Sequence, residues 1–160
     1  MRLLNLLLPV MALVPLCGIT ALAQMPTYHL GRTPSTEEIR AWDISIGPEG
    51  KELPSGSGTA KEGANIYAQK CAACHGATGK EGPRNRLVGG KGERAIPQYQ
   101  FATPLWDIVN RSMPLDKQGS LSADEVYALT AFLLHQNGII QESDVLDAKS
   151  LPKVQMPNRK

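Results

Sequence analysis

The stretch Cys71-Ala72-Ala73-Cys74-His75 decides how the rest of this 160-residue chain is interpreted. Two residues separate the two cysteines, and a histidine follows the second cysteine directly. The chain has three cysteines, and the remaining one lies in the apolar N-terminal segment. With 15 glycines and 12 prolines, the chain must contain long irregular segments. A small core of this kind commonly needs a disulfide, a metal or a covalent cofactor to stabilise it.

The C-x-x-C-H pattern is typical of the covalent attachment of a c-type haem. Each thiol would add across one haem vinyl group to form a thioether, and the two intervening residues let both sulfurs reach the same porphyrin edge. His75 would then bind the iron as an axial ligand. Two other interpretations are a disulfide or redox pair formed by the two cysteines, and a zinc site completed by His29 or His135. We expect haem, because neither a βαβ pattern nor a second ligand pair accompanies the motif.

The N-terminus has the features of an export signal. Arg2 supplies a positive charge, an apolar run extends from Leu3 to Leu16, and Ala21-Leu22-Ala23 matches a cleavage site. We therefore predict a signal peptide at residues 1–23 and a periplasmic mature protein, in an oxidising compartment. The alternatives are a retained membrane anchor and lipid attachment through the cysteine of this segment.

Composition excludes two classes of partner for the mature protein. No later segment is long and apolar enough to span a membrane, so we expect no membrane span after cleavage. The net charge of +2 is too small to indicate a nucleic-acid-binding protein.

Two segments predict helices with well-defined starts. Thr59-Ala60-Lys61-Glu62 and Ser122-Ala123-Asp124-Glu125 both match the capping-box pattern. The first helix would run into Cys71, and Gly63 within it would let another helix approach closely. The second helix spans about Ser122 to Asn137, is apolar almost all round and should be buried. We expect the two helices to cross at Gly63.

A shorter helix is predicted at about Thr103 to Arg111, ending at Ser112-Met113-Pro114, where the proline restricts Met113 to an extended conformation. The iron of an electron-carrying haem commonly has two strong axial ligands, often His and Met. The methionines that remain after the signal peptide are Met25, Met113 and Met156. Because Met113 lies in a loop between two predicted helices, we predict that it is the second axial ligand. The alternatives with two histidine ligands would use His29 or His135.

The motif G-x-x-x-Y-x-x-x-C-x-x-C-H-G at Gly63 to Gly76 is followed by Gly82-Pro83 and by Ser112-Met113-Pro114. With these motifs and its last helix, the sequence resembles the class I c-type cytochromes that carry a single haem. The resemblance implies an all-α fold, with three to four short helices around one covalently attached haem c. It also implies that the carbonyl of Pro83 accepts the ring N–H of His75, which would orient the imidazole.

The resemblance covers residues 59–138, which we predict to be the cytochrome c domain. Residues 24–58 are predicted to form an N-terminal arm that wraps the core or docks a partner, with one or two helical turns near Thr36 to Arg40. Residues 139–160 are predicted to form a C-terminal extension, and we expect its part from Asp144 onward to be mobile.

Several residues are candidates for the haem pocket. Donors for the haem propionates would come from Arg84, Arg86 or Trp106. The apolar side chains expected to contact the haem are Leu87, Val88 and Phe101.

A narrower resemblance concerns Ala41-Trp42-Asp43-Ile44, the segment Leu53 to Gly63, and the region from Ser112 into the last helix. These segments are similar to the cytochrome subunits of bacterial sulfur-oxidising dehydrogenases, which partner a molybdenum sulfite dehydrogenase or a sulfane dehydrogenase. The resemblance implies an electron-transfer protein with no catalytic residues, reduced by such a periplasmic enzyme and oxidised by another cytochrome or an oxidase. The alternatives are a haem peroxidase or thiol-oxidising enzyme with a labile sixth ligand, and an acceptor for a non-sulfur dehydrogenase.

Overall fold

A computed structural model describes residues 30–90, 93 and 95–160. The chain divides into two compact units, Met1–Ser35 and Thr36–Lys160. Of the first unit only residues 30–35 are described; they are exposed and include no helix or strand. The predicted signal peptide, Met25 and His29 lie outside the described residues. All the elements named below belong to the second unit.

The fold of the second unit is mostly helical. Its described part contains five α-helices: α1 (Thr36–Trp42), α2 (Ala60–Lys70), α3 (Ala72–His75), α4 (Thr103–Ser112) and α5 (Ala123–Gln136). Short 3₁₀ turns lie at Ile96–Gln98 and Leu151–Lys153, and two strands, β1 (Ser57–Thr59) and β2 (Val145–Asp147), form an antiparallel ribbon. The all-α prediction is confirmed except for this ribbon. In the described part of the chain, no helix is long and apolar enough to cross a membrane.

The two predicted capping boxes are both present. Thr59 donates its backbone N–H to the Glu62 carboxylate at 2.8 Å, and its hydroxyl accepts the Glu62 backbone N–H at 3.3 Å. Ser122 and Glu125 repeat the pattern at 2.9 and 3.3 Å. Each box satisfies backbone donors that a helix start would otherwise leave without a partner. The starts of α2 and α5 are therefore determined locally, and the predictions for both are confirmed.

Helices α2 and α5 cross at Gly63, as predicted. A side chain at this position would overlap the backbone carbonyl of Ala128 and lie 2.8 Å from Cβ of Phe132. One turn along α2, the ring of Tyr67 packs against that of Phe132 with centroids 4.9 Å apart. At the end of α2, the ammonium of Lys70 contacts the Glu125 carboxylate at 2.6 Å. The glycine thus allows two helix backbones to touch, and larger side chains fill the space on either side.

Helix α5 forms the centre of the hydrophobic core, and every residue from Val126 to Leu134 is buried. Helix α4 packs against it, with the rings of Trp106 and Tyr127 5.4 Å apart. The few polar groups of α5 inside the core have partners. Tyr127 donates its hydroxyl to the carbonyl of Pro54 at 2.8 Å, and Thr130 donates to the carbonyl of Val126 at 2.7 Å.

The C-terminal extension packs on the core, so the prediction of a mobile segment from Asp144 onward is wrong. Strand β2 pairs with β1, and the buried side chains of the extension are those of Leu146, Leu151 and Met156. Asn158 donates its side-chain N–H to the carbonyl of Gln98 at 2.8 Å, and the guanidinium of Arg159 lies 5.2 Å from the centre of the Phe101 ring. The three apolar residues are five positions apart, a spacing that matches neither a helix nor a strand, which is why the sequence pattern did not indicate their burial.

The C-terminal part of the N-terminal arm packs against the hydrophobic core. Ile46 packs against the hydrophobic core and Leu53 belongs to it. The predicted helical turns near Thr36 are confirmed as α1, whose Ile39 and Trp42 side chains are exposed, the latter by 86%. The arm therefore combines an attached segment with a short helix whose apolar side chains face solvent.

We predict that Gly63→Ala destabilises the protein by about 1–3 kcal/mol, the usual cost of overpacking a close contact. Alanine is the better helix former by about 1 kcal/mol, but its methyl group would overlap the main chain of α5, which cannot rotate away. Gly90→Ala is the matched control, because a methyl group there meets nothing within 4 Å. Chemical denaturation of the haem-loaded protein measures both variants, and equal stabilities would contradict the contact.

Candidate haem site

The attachment motif lies at the end of α2, where the chain changes direction. The backbone N–H of Cys71 still donates to Tyr67 of α2 at 2.9 Å, and α3 then makes a single turn in which the N–H of His75 donates to the carbonyl of Cys71 at 3.0 Å. In one helical turn, residues three and four apart lie on the same side. Cys71, Cys74 and His75 are therefore close together, as attachment of one haem requires. The Cys71 side chain is partly buried and the Cys74 side chain is exposed.

Burial alters the acidity of one side chain of the motif and of one side chain beside it. It raises the pKa of the Cys71 thiol to about 11, against a smaller opposing effect of the Lys70 charge. It also raises the pKa of the Tyr67 hydroxyl to about 12, and this hydroxyl donates to the carbonyl of Gly76 at 2.9 Å. Before attachment, the Cys71 side chain is therefore a neutral thiol at physiological pH, and Tyr67 is a neutral hydrogen-bond donor.

The imidazole of His75 is oriented by a backbone carbonyl, but not by the predicted one. Its Nδ1 lies 3.0 Å from the carbonyl oxygen of Asn85, so the predicted role of Pro83 as the acceptor is wrong. A side chain on Gly82 would overlap the backbone of Cys74 and His75, and the N–H of Arg84 donates to the carbonyl of Cys74 at 3.0 Å. The loop after the motif thus packs directly against the motif at Gly82. The carbonyl that contacts the His75 ring belongs to Asn85, three residues further along this loop.

This contact determines which nitrogen of His75 can bind a metal. A carbonyl only accepts hydrogen bonds, so Nδ1 carries a proton, and in the neutral imidazole the lone pair is then on Nε2. An imidazole held in this way is the usual form of a histidine ligand in metal sites.

The loop after the motif is also connected to the end of α5. Leu87 and Val88 donate their backbone N–H groups to the carbonyl of Gly79 at 2.8 and 3.1 Å. The Asn137 side chain accepts the N–H of Gly89 at 3.1 Å and donates to the carbonyl of Leu87 at 3.2 Å. Sequence reasoning missed Asn137, because a residue that only ends a helix gives no sign of a bond 50 positions away.

Met113 directly follows α4. It is partly buried, its backbone is extended, and its N–H donates to the carbonyl of Val109 at 3.3 Å. Two residues before Met113, Arg111 forms a bidentate ion pair with the buried carboxylate of Asp107. Asp107 lies one turn earlier on the same helix. The pair connects the last two turns of α4, which carry Met113. Sequence reasoning also missed Asp107, since an acidic residue in a short helix is ordinarily exposed.

The other ligand candidates within the described residues have different surroundings. Met156 belongs to the hydrophobic core. The Nδ1 atom of His135 lies 3.3 Å from the carbonyl oxygen of Ile140. No group of three or more His, Cys, Asp or Glu side chains suited to a metal ion occurs in the part of the chain that the structure describes. Met113 remains the predicted second axial ligand.

The predicted pocket residues fall into exposed and buried groups. Pro83, Arg84 and Arg86 are exposed, and Arg86 pairs with Glu93 at 3.1 Å. Leu87 is partly buried against the core. Trp106 is fully buried.

Comparison with known proteins identifies the family. A family model described as "Cytochrome C oxidase, cbb3-type, subunit III" matches residues 58–133. A chain in the crystal structure of the sulfane dehydrogenase SoxCD from Paracoccus pantotrophus is 36% identical, with a TM-score of 0.66 over 82% of this chain and 70% of that one. The chain belongs to the cytochrome c family. No curated protein matches it.

A member of this family carries covalently bound haem c and transfers electrons, and this cytochrome has one attachment motif. The residues present fit that cofactor. The motif supplies two thiols and an imidazole with a free Nε2, and the indole Nε1 of Trp106 is a buried donor without a partner. A buried donor ordinarily has an acceptor, and a haem brings two carboxylates to the fold. Cys71 and Cys74 would hold the haem, and His75 with Met113 would ligate its iron.

We predict that Met113→Ala retains the covalent haem but lowers its reduction potential, because a neutral thioether favours ferrous iron. The ferric cytochrome should lose the absorption band of methionine-ligated iron, and the ferrous form should bind carbon monoxide readily. Met156→Ala is the matched control, since it removes a buried methionine from the core and should leave the potential unchanged. An unchanged potential and spectrum in Met113→Ala would show that this residue is not a ligand.

We predict that Arg111→Gln lowers the unfolding temperature, because it leaves the carboxylate of Asp107 buried without its cationic partner. Lys51→Gln is the control, since Lys51 pairs with Glu49 at 2.5 Å but both side chains are exposed. Thermal unfolding of the two haem-loaded variants should separate them clearly. If both variants lower the unfolding temperature by a similar small amount, the Arg111–Asp107 pair contributes no more to stability than a surface ion pair.

Proposed function

We propose that this cytochrome is a periplasmic carrier of single electrons, reduced by a molybdenum sulfite or sulfane dehydrogenase and oxidised by another cytochrome or an oxidase. The observation that carries the proposal is the 36% identity to a chain of the sulfane dehydrogenase SoxCD over 82% of this chain. When bound, the haem supplies the one-electron couple of its iron. The chain itself supplies ligation, burial and a surface for the partner.

The predicted ligand set supports electron transfer rather than catalysis. With His75 and Met113 both on the iron, no coordination position remains for oxygen, peroxide or a substrate. The backbone carbonyl of Asn85 orients the His75 ring. Met113 follows α4, whose last two turns are connected by the ion pair of Arg111 and Asp107. Both ligands are thus carried by well-connected segments, which limits rearrangement between the two oxidation states. The soft thioether favours the ferrous form and so raises the potential.

The surface around the attachment motif supports direct exchange of electrons with a partner. Ala73 and Cys74 are exposed, so the haem edge bonded to Cys74 would lie close to solvent. A docked protein could then approach that edge without any change in the fold. Contacts of this kind are typically small and partly polar.

The N-terminal arm offers a surface for the dehydrogenase. From α1 to its end, the described part of the arm has three exposed large apolar side chains, Ile39, Trp42 and Ile44, the first two on one face of α1. Exposed aromatic side chains of this size are common at protein interfaces. Export, and with it the periplasmic location, is supported by the predicted signal peptide at residues 1–23.

The proposal predicts which substrate leads to haem reduction. Oxidised cytochrome is mixed with periplasmic extract of the source organism, and sulfite, thiosulfate, alcohols or aldehydes are added separately. We expect fast reduction only with sulfite or thiosulfate and only with extract. The same compounds without extract are the control, because sulfite reduces haem directly. Reduction only by another compound would keep the electron carrier and reject the sulfur dehydrogenase.

Two variants extend this experiment to the surface of the arm. Trp42→Ala should slow reduction by the extract, whereas Val145→Ala, which also removes an exposed apolar side chain, should not. Reduction by dithionite should be equal in both. Equal rates with the extract would show that α1 is not part of the docking surface.

A further inference from the structure

The side-chain amide of Asn137 connects the end of α5 to the loop that carries the acceptor for His75. Its Oδ1 accepts the backbone N–H of Gly89 at 3.1 Å, and its Nδ2 donates to the carbonyl of Leu87 at 3.2 Å and to that of Leu133 at 2.7 Å. An asparagine amide has two N–H donors and one carbonyl oxygen, so every group of this side chain has a partner. Two of the three bonds leave the helix, and Asn137 therefore does more than end α5.

The carbonyl that orients His75 lies between two attachment points of this loop. Before it, the N–H of Arg84 donates to the carbonyl of Cys74 at 3.0 Å. After it, the bonds to Asn137 begin two residues beyond Asn85. The Asn85 carbonyl therefore has little freedom to move as long as both attachments hold.

Leu87 has two further hydrogen bonds, but neither of them connects it to a long helix. Its N–H donates to the carbonyl of Gly79, earlier in the same loop, at 2.8 Å, and its carbonyl accepts the N–H of Ile96, in a 3₁₀ turn, at 3.2 Å. Asn137 stands at the end of α5, whose residues from Val126 to Leu134 are buried. The amide thus fixes this turn of the loop relative to the helix that packs against α2.

We propose that Asn137 is a positioning residue that sets the reduction potential of the haem through His75. By holding Leu87 and Gly89, its amide keeps the carbonyl of Asn85 3.0 Å from Nδ1 of the ring. A hydrogen bond from Nδ1–H to a carbonyl raises the basicity of an imidazole ligand, and a more basic ligand favours ferric iron. This inference rests on His75 as an iron ligand and does not depend on which dehydrogenase reduces the protein.

Asn137→Leu is the decisive variant, because it removes all three bonds and leaves a side chain of similar volume. Tyr127→Phe is the matched control, since Tyr127 lies on the same helix and donates its hydroxyl to the carbonyl of Pro54 at 2.8 Å, outside the motif loop. Asn137→Gln keeps an amide that can reach the loop. Asn137→Ser is a milder change, whose short hydroxyl cannot reach Leu87 and Gly89, and it replaces the leucine variant if that protein does not assemble with haem.

All variants are purified with covalent haem. We measure the reduction potential, the unfolding temperature, and the exchange rate of the Nδ1 proton of His75 in NMR spectra of the ferrous protein. We expect Asn137→Leu to raise the potential and to speed exchange of this proton several-fold, because a weaker bond to the carbonyl leaves the imidazole a poorer donor to the iron. Asn137→Gln should restore both quantities in part. Tyr127→Phe should lower only the unfolding temperature.

The sign of the potential change separates positioning of the ligand from a general loosening of the fold. Loosening would admit water to the haem, which favours the ferric form and lowers the potential. A lower or unchanged potential in Asn137→Leu, or an unchanged exchange rate of the Nδ1 proton, would therefore overturn the proposal and leave Asn137 with a purely structural role.

The same spectra check the premise that His75 binds the iron. The ring protons of a histidine ligand lie over the porphyrin, whose ring current moves their signals far upfield in the ferrous protein. Ordinary chemical shifts for His75 would overturn its assignment as a ligand, and the proposal with it, whereas upfield shifts with no effect of Asn137→Leu would reject the positioning role alone.

Discussion

The contact between the backbones of α2 and α5 at Gly63 is the constraint on which the rest of the structure depends. No side chain separates the two helices there, because a methyl group would overlap the Ala128 carbonyl. The C-terminal end of α2 leads into the attachment motif, and Asn137 at the end of α5 holds the loop that follows it. Residues 71–90 are therefore fastened to both of these helices.

That fastening explains why main-chain groups do most of the positioning around His75. The loop lies on the motif where Gly82 has no side chain, and the Asn85 carbonyl then reaches the imidazole. A backbone acceptor cannot be lost by changing its side chain, and it does not titrate. The orientation of the imidazole thus depends on the course of the loop, which the distant bond to Asn137 helps to maintain.

Helix α4 shows how a small core uses its cofactor. Its Asp107 is buried but has an internal partner in Arg111, whereas Thr103 and Trp106 have donors that the protein leaves unsatisfied. An apolar interior can stabilise such groups only by supplying acceptors. A haem adds both apolar surface and carboxylates, so binding of the cofactor contributes directly to the stability of the folded chain.

The sequence by itself determined the features that depend on local interactions. The two capping boxes, the extended Met113 and the attachment motif follow from residues within a few positions of one another, and Gly63 indicated a close helix approach because it has no side chain. Only the tertiary structure decided that Asn85 and not Pro83 contacts His75, that residues 145–156 pack on the core, and that Asn137 and Asp107 matter to the site. These features arise from contacts between segments far apart in the chain, and such contacts leave no periodic pattern in the sequence.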